Sequence, residues 1–587
     1  MNMLFGVLFV LFLLLDLQAT ENELPKTPPN ALNSGIPWPA TDALGRDLPI
    51  TIETDSVRQN RCVGMFYFLT HGPDRGDLPK NIMSILAQDP DILSKPESKL
   101  WGPPNGPYYW AEPLYGYYNS KDPWVIRRHA NLLVDAGIDT IIFDTTNRIT
   151  YRDVYMQICE VWSQVRREGG RTPQICFMVN TKAGESAAEI FNDLYRPGKF
   201  QDLWFIWNGK PLLICDPTLT TPEIAEFFSL RKAHWPFTQV NTNNAWHWEA
   251  AYPQVYSYED DPSKAEQVNV SVAQNLRRSD GKVTNMSEGN ARGRSFHNDT
   301  VASEANSVAK GYNFSEQWQR AIELDPPFVM VTGWNEWTAG KYSRPKQPIV
   351  FVDQYDQEYS RDIEPVKGLH NDNYYYQLVA NVRKYKGQTS VPLSTSMKTI
   401  DIASDFNQWN DVGPKFTDHA FDVDHREFGQ GARHYQNSSG RNDFAFAKVA
   451  HDTKSLFFMV QSTNPLTLTD DPNWTWLLVD ADQNASTGWE GYDFIINRTI
   501  DSNATWLERN TGGWNWEKVE KLPYRVQGNS VMLAVARESM KIPASETFYI
   551  DFKWIDNSQK PGDILDTYLS GDAAPDGRFK YRYQVRP

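Results

Sequence analysis

Glu336 stands directly behind the apolar run FVMVTGW (328–334) and between two indoles, Trp334 and Trp337. A carboxyl group held against such bulk gives up its proton reluctantly, as a proton donor working at neutral pH must. Asp144 ends a second apolar run, DTIIFD (139–144), and Glu249 closes the polar stretch NTNNAWHWE (241–249). A carboxyl pair flanking one bond is the apparatus of glycosidic cleavage: one group protonates the leaving oxygen, the other attacks or activates water. Glu336 and Asp144 are the candidate catalytic pair, with Glu249 behind them. An Asp after a strand also caps turns, which gives Asp144 a structural alternative. Amides and rings gather at the ends of the same runs: His71, Asn147, Asn180, Trp246, Trp248, Tyr256, Trp334 and Asn335. Aromatic faces stack on sugar C–H surfaces, and amides bond hydroxyls. Arg361, within EYSRDIE (358–364), suits either an anionic group on a sulfated or uronic substrate or an internal ion pair.

These residues need a scaffold that brings strand ends to one rim. Strand-like runs lie at 62–69, 139–144, 174–179, 211–215, 236–240, 253–257, 268–273 and 328–334, and helical spacing lies between them at 124–136, 151–168 and 222–232, with a last helix at 373–386. Eight strands alternating with helices predict a (β/α)8 TIM barrel over 49–386, whose catalytic groups sit at the carboxyl ends of the strands. The competing open sheet lacks the glycine-rich phosphate loop after its first strand. Residues 387–400 read as a linker. From 401 to 587 short alternating runs replace helical spacing and predict an antiparallel β-sandwich.

The chain has 587 residues, 58 basic and 73 acidic, for a formal net charge of −15, which makes nucleic acid a poor partner. Residues 1–19 carry an apolar core too short to span a bilayer and read as a signal peptide, so the mature protein is expected to be secreted (extracellular or periplasmic), off the membrane and monomeric. Residues 20–48 read as an extended leader. Cys62, Cys159, Cys176 and Cys215 are expected as buried thiols, with a disulfide that spacing does not assign as the alternative. Carboxylate acid/base chemistry requires no cofactor.

At this point a resemblance appears. The run VMVTGWNEWTAG (329–340) resembles the last-strand Asn-Glu-Trp motif of barrels in glycoside hydrolase families 71 and 99, GKPLL (209–213) is similar to their strand entry, and DIEP (362–365) to their Ile-Glu-Pro. The resemblance implies hydrolysis of α-linked glycans such as α-mannosides or α-1,3-glucans. Family 99 runs Asn-Glu-Trp-His-Glu-Gly, with a second working carboxylate where this chain has Ala339, so Glu336 carries over and its partner does not. The C-terminal region resembles a family 9 carbohydrate-binding module through WLLVDADQNASTGWEGYDF (476–494). There Asp480, Asp482 and Asn484 offer oxygen ligands at alternate positions, with Asp493 a fourth, as calcium loops do. The expectation is a secreted glycoside hydrolase acting on a polysaccharide or oligosaccharide, α-linked or sulfated. The alternative is a catalytically silent glycan-binding protein.

Overall fold

The computed structural model describes residues 33–50, 56–72, 78–102, 107–344, 347–501, 504–543, 545 and 547–586; the expected signal peptide lies outside them. Eight parallel strands form the barrel: β1 (Cys62–Tyr67), β2 (Thr140–Thr145), β3 (Gln174–Val179), β4 (Lys210–Ile214), β5 (Ser229–His234), β6 (Ala245–His247), β7 (Gln267–Ser271) and β8 (Phe328–Thr332). Ladders run unbroken in the order β6-β5-β4-β3-β2-β1-β8-β7. Most strand residues are buried on both faces, and side-chain alternation sorts them. Phe66, Phe68, Ile142, Met178, Ile214 and Phe328 fill one buried cluster inside the ring, while their neighbours Met65, Tyr67, Phe143 and Phe177 join the larger core under the helices. Gly64 is part of this filling: a Cβ there would lie 2.5 Å from the Phe328 ring.

The ring is nearly closed, with a seam between β6 and β7. There one side chain replaces the ladder. The amide of Gln267 accepts the His247 N–H at 2.9 Å and donates to the His247 carbonyl at 2.9 Å. Beside it, the Trp246 indole donates to Glu266 at 2.9 Å.

Six helices cover the ring, α1 (Pro123–Asp135), α2 (Arg152–Arg167), α3 (Ala183–Ile190), α4 (Pro222–Phe227), α5 (Tyr312–Leu324) and α6 (Asn373–Lys386), and shorter helices at Ile82–Gln88 and Ser307–Lys310 lie in the connections. Asp122 caps α1 by accepting from the Trp124 N–H, with proline in the first turn where no N–H is needed. Among the described residues no helix fills the β5–β6 or β6–β7 connections. This is where the sequence expectation departs from the structure. The helix expected over 222–232 ends at Phe227, and the fifth strand is Ser229–His234, not 236–240. Its polar residues hid it: Arg231 is buried, with its charge met by Glu266. The sixth strand is the short Ala245–His247, not 253–257, of which only Ser257 enters a brief ladder.

The C-terminal region forms two antiparallel sheets of five and seven strands. They face one another through Phe416 and Phe458 of one and Phe552 of the other, with ring centroids 5.1 and 5.8 Å apart. Trp38, from the described part of the leader, wedges against Phe416 and Tyr581. Arg578 Nε donates to Asp372 at 2.8 Å and Arg426 Nε to Asp122 at 2.9 Å, tying the sheets to the barrel's helical side. All four cysteines are buried and free. Among the described residues no helix is long and apolar enough to cross a membrane.

If Gln267 closes the seam, Gln267→Leu leaves the β6 N–H and C=O without partners and should lower unfolding stability by about 1–3 kcal/mol. A urea midpoint equal to that of the unchanged protein would show that the seam needs no closure.

Candidate active site

A cavity of about 210 Å³ opens at the carboxyl ends of the strands, with Asp144, Asn147, Trp248, Glu336 and Asp353 in its lining. Phe66 and Phe68 come up from the barrel interior, and Trp235 and Phe237 stand on the β5–β6 connection. Phe237 is 78% exposed, at the lip.

Glu336 is held there by an unusual turn. Gly333, at φ +110°, lets the chain pass so close to residue 361 that a Cβ would sit 2.3 Å from the Arg361 carbonyl. The segment 361–364 then runs beside the strand end, with the Ile363 N–H donating to the Gly333 carbonyl at 3.0 Å and the Glu364 N–H to the Trp334 carbonyl at 3.0 Å. This path delivers the Arg361 side chain to the acids. Arg361 Nη2 donates to Glu336 Oε2 at 2.8 Å and lies 3.7 Å from Asp353, and Nη1 lies 3.8 Å from Glu249. The guanidinium is fully buried and sits over the Trp248 ring at 4.8 Å. Gln354 locks the set: its Nε2 donates to Glu336 Oε2 at 2.9 Å, and its Oε1 accepts the Arg361 N–H at 2.9 Å.

Burial outweighs that cation. Desolvation pushes the Glu336 carboxyl up to about 8, against the pull of Arg361 and with a push from Asp353. Glu249 is pushed up to about 7, again by burial, with Arg361 opposing. Burial also raises Asp144, whose Oδ1 accepts from the Thr146 N–H at 3.0 Å and its hydroxyl at 2.7 Å. The turn-capping role expected of Asp144 is therefore present, and it engages one oxygen of a side chain that also lines the cavity. Of these acids Glu336 and Asp144 line the cavity, and the higher-lying Glu336 can hold and deliver a proton at neutral pH while Glu249 stays buried behind it.

The residues flanking Glu336 are supports. Asn335 is fully buried, its amide accepting the Phe68 N–H at 2.9 Å and donating to the Phe68 carbonyl at 3.2 Å, so it splices β1 to the β8 end. Trp334 is buried edge-on against His129. Trp337 stacks on Trp110 at 5.3 Å and donates to Glu364, which also accepts from Tyr118 and lies 3.0 Å from His129 Nε2.

Other expected site residues lie elsewhere. Trp246 is part of the barrel's packed interior against Phe328. His71 is buried beside Ser120, with its pKa lowered to about 3 chiefly by burial. Asn180 is exposed outside the cavity lining, and the Tyr256 hydroxyl donates to the Pro262 carbonyl. Arg361 is committed to the internal ion pairs, so its anion-binding alternative falls away. Ala339 belongs to a small apolar core with Ile82, Trp101, Tyr108, Ile349 and Phe351, where a carboxylate would be stranded without water. Asp353, Gln354, Trp235 and Phe237 were not singled out from the sequence. The one signal was the short apolar run IVFV (349–352) ahead of Asp353.

In the C-terminal sheets, Asp480, Asp482 and Asp493 each bring a carboxylate oxygen within 4.8 Å of the others. Asp480 already meets Lys580 at 2.8 Å, and Asn484 Oδ1 accepts from the Ser486 N–H at 3.1 Å, so three of the four expected calcium ligands converge. Trp489, Trp514 and Trp516 cluster nearby with Trp476, centroids 4.4–5.6 Å apart.

Removing the shared cation should be costly. Arg361→Met removes the charged hydrogen bond to Glu336 and the cation beside Glu249, and a loss of about 1.5–3 kcal/mol is expected in denaturant unfolding at neutral pH. A loss below 1 kcal/mol would mean that the acids do not depend on Arg361.

No protein-family model matches the chain, and no curated protein matches it in sequence. Among solved structures it is similar to two of the GH99 endo-α-mannosidase of Bacteroides thetaiotaomicron, one of them in complex with bis-tris propane. Identity is 12% in both, TM-scores are 0.33 and 0.32, and the match covers 55% of this chain and 97% and 96% of those chains.

Proposed function

We propose that the protein is a glycoside hydrolase in which Glu336 is the proton donor. The observation that carries this reading is a carboxyl group held neutral by burial, at the end of the last barrel strand, facing a cavity walled by Trp248, Trp235 and Phe237. In the neutral form Glu336 donates to the leaving glycosidic oxygen. Asp144, in the same lining and tied through only one oxygen, is the second carboxylate, which attacks the anomeric carbon or activates water. Asp353 stands at the rim, its side chain 40% exposed. The aromatic walls stack on sugar rings, and Asn147 is placed to bond hydroxyls. Among the described lining residues there is no Lys, Arg or His, which favours a neutral glycan over a sulfated one. A secreted enzyme meeting polysaccharide outside the cell fits this chemistry.

The alternative, a silent glycan-binding protein, rests on Ala339 and its apolar surroundings. One variant separates the two. On a polysaccharide panel that includes α-mannans, Glu336→Gln should cut the rate by about 10²–10⁴-fold while glycan binding persists. The acid form of a group raised to about 8 is present below that pH and lost above it, so activity should fall as pH rises through about 8. Hydrolysis by Glu336→Gln at the unchanged rate, or glycan binding with no hydrolysis by the unchanged protein, would sink the hydrolase reading.

A further inference from the structure

A second group of acids lies far from the cavity, where the C-terminal sheets meet α1. Asp422 comes from the loop before residue 426, Asp443 directly precedes the strand Phe444–His451, and Asp572 begins the strand Asp572–Ala574. All three are buried, and each offers a carboxylate oxygen within 4.8 Å of the others. The main chain aims them: the Phe421 N–H donates to Asp443 at 2.9 Å, and the Phe444 N–H to Asp572 at 2.6 Å. Asp422 Oδ2 accepts from Arg128 at 3.1 Å and from Asn131 at 3.2 Å, both on one face of α1.

Two observations separate this group from an ordinary acidic patch. Asp422 Oδ1 is buried without a hydrogen-bond partner, on a residue 2% exposed, and Asp576 Oδ1, on a residue 7% exposed, has none either and is met by Arg128 Nη1 at 3.8 Å; Asp576 and Asp422 act electrostatically on each other. The charges also do not balance. Among the described residues, Asp135, Asp418, Asp422, Asp443, Asp572 and Asp576 are set against Arg128, His419 and Lys553, with Lys580 beside Lys553 but paired to Asp480. Asp135 is taken by His419 at 3.0 Å, and Asp424 at the rim by Arg127. A buried surplus of carboxylates is not tolerated unless protons or a cation neutralise it. The three converging groups are all oxygen donors, with no His or Cys among them, and their spacing is that of ligands about 2.3–2.6 Å from one ion.

We propose that Asp422, Asp443 and Asp572 hold a calcium ion that pins the C-terminal sheets to helix α1. The ion replaces the missing positive charge, and Arg128 and Asn131 carry its hold onto the barrel. The site is separate from the Asp480–Asp482–Asp493 group, and exposed Asp482 allows the latter to be disabled without touching the core.

The full chain would be stripped with a chelator, reloaded with calcium, freed of excess and assayed for metal content and thermal unfolding. Asp482→Asn should retain one calcium per chain and melt higher with calcium than without. Asp482→Asn/Asp443→Asn and Asp482→Asn/Asp422→Asn should lose both the calcium and the shift. If Asp482→Asn binds no calcium, the proposal is overturned and the acids share protons instead. It is equally overturned if either double variant folds and retains the full equivalent. Where neither double variant folds, the metal content of Asp482→Asn decides alone.

Discussion

One guanidinium among three carboxyl groups is the constraint around which the rim is built. Arg361 reaches Glu336, Glu249 and Asp353 from a fully buried position, and among the described residues no second cation pairs with these acids. A single positive charge cannot neutralise three acids, so protons must make up the difference, and they do so on the groups most removed from water. Proton-holding capacity at Glu336 is thus a property of the ratio of charges in a dry space, not of that residue alone. Gly333 is part of the same constraint, because only a residue without a Cβ lets the Arg361 backbone lie against the strand end.

Around this centre lies a layer of side chains that bond one another and not the cavity. Glu364 collects Trp337, Tyr118 and His129, and His129 passes the chain on to Tyr67 at 2.7 Å. Trp110, stacked on Trp337, donates to Asp362 at 2.5 Å. Buried polar networks with their partners met fix positions more narrowly than apolar packing does. Here the network spans β1, α1 and the loop after β8, so the orientation of Glu336 is set by elements more than 200 residues apart in sequence.

The sequence revealed what period and position can reveal. Alternating apolar runs marked β1, β2, β3, β4, β7 and β8, and Glu336 and Asp144 stood out because each follows such a run. β5 and β6 escaped for opposite reasons: β5 hides a buried Arg231 whose partner Glu266 is 35 residues away, and β6 is three residues long beside an Asn-rich loop. Trp246 and Trp248 look alike in the sequence and share one buried cluster, yet Trp246 lies within β6 and packs on Phe328, while Trp248, just past the strand end at His247, reaches the cavity. Asp353 and Gln354 had only the short apolar run before them as a signal, since a long excursion after β8 brings them back to the rim.

The Gln267 seam bears on how the rim can move. β1 to β5 and β8 are laddered to a ring neighbour on both sides, whereas β6 has a ladder only to β5 and is met on its other flank by the Gln267 amide. Trp248 and Glu249 follow that strand directly. The barrel therefore has one stave stitched on one flank by side chains alone, and the cavity wall rides on it, while Asp144 belongs to a strand laddered on both flanks.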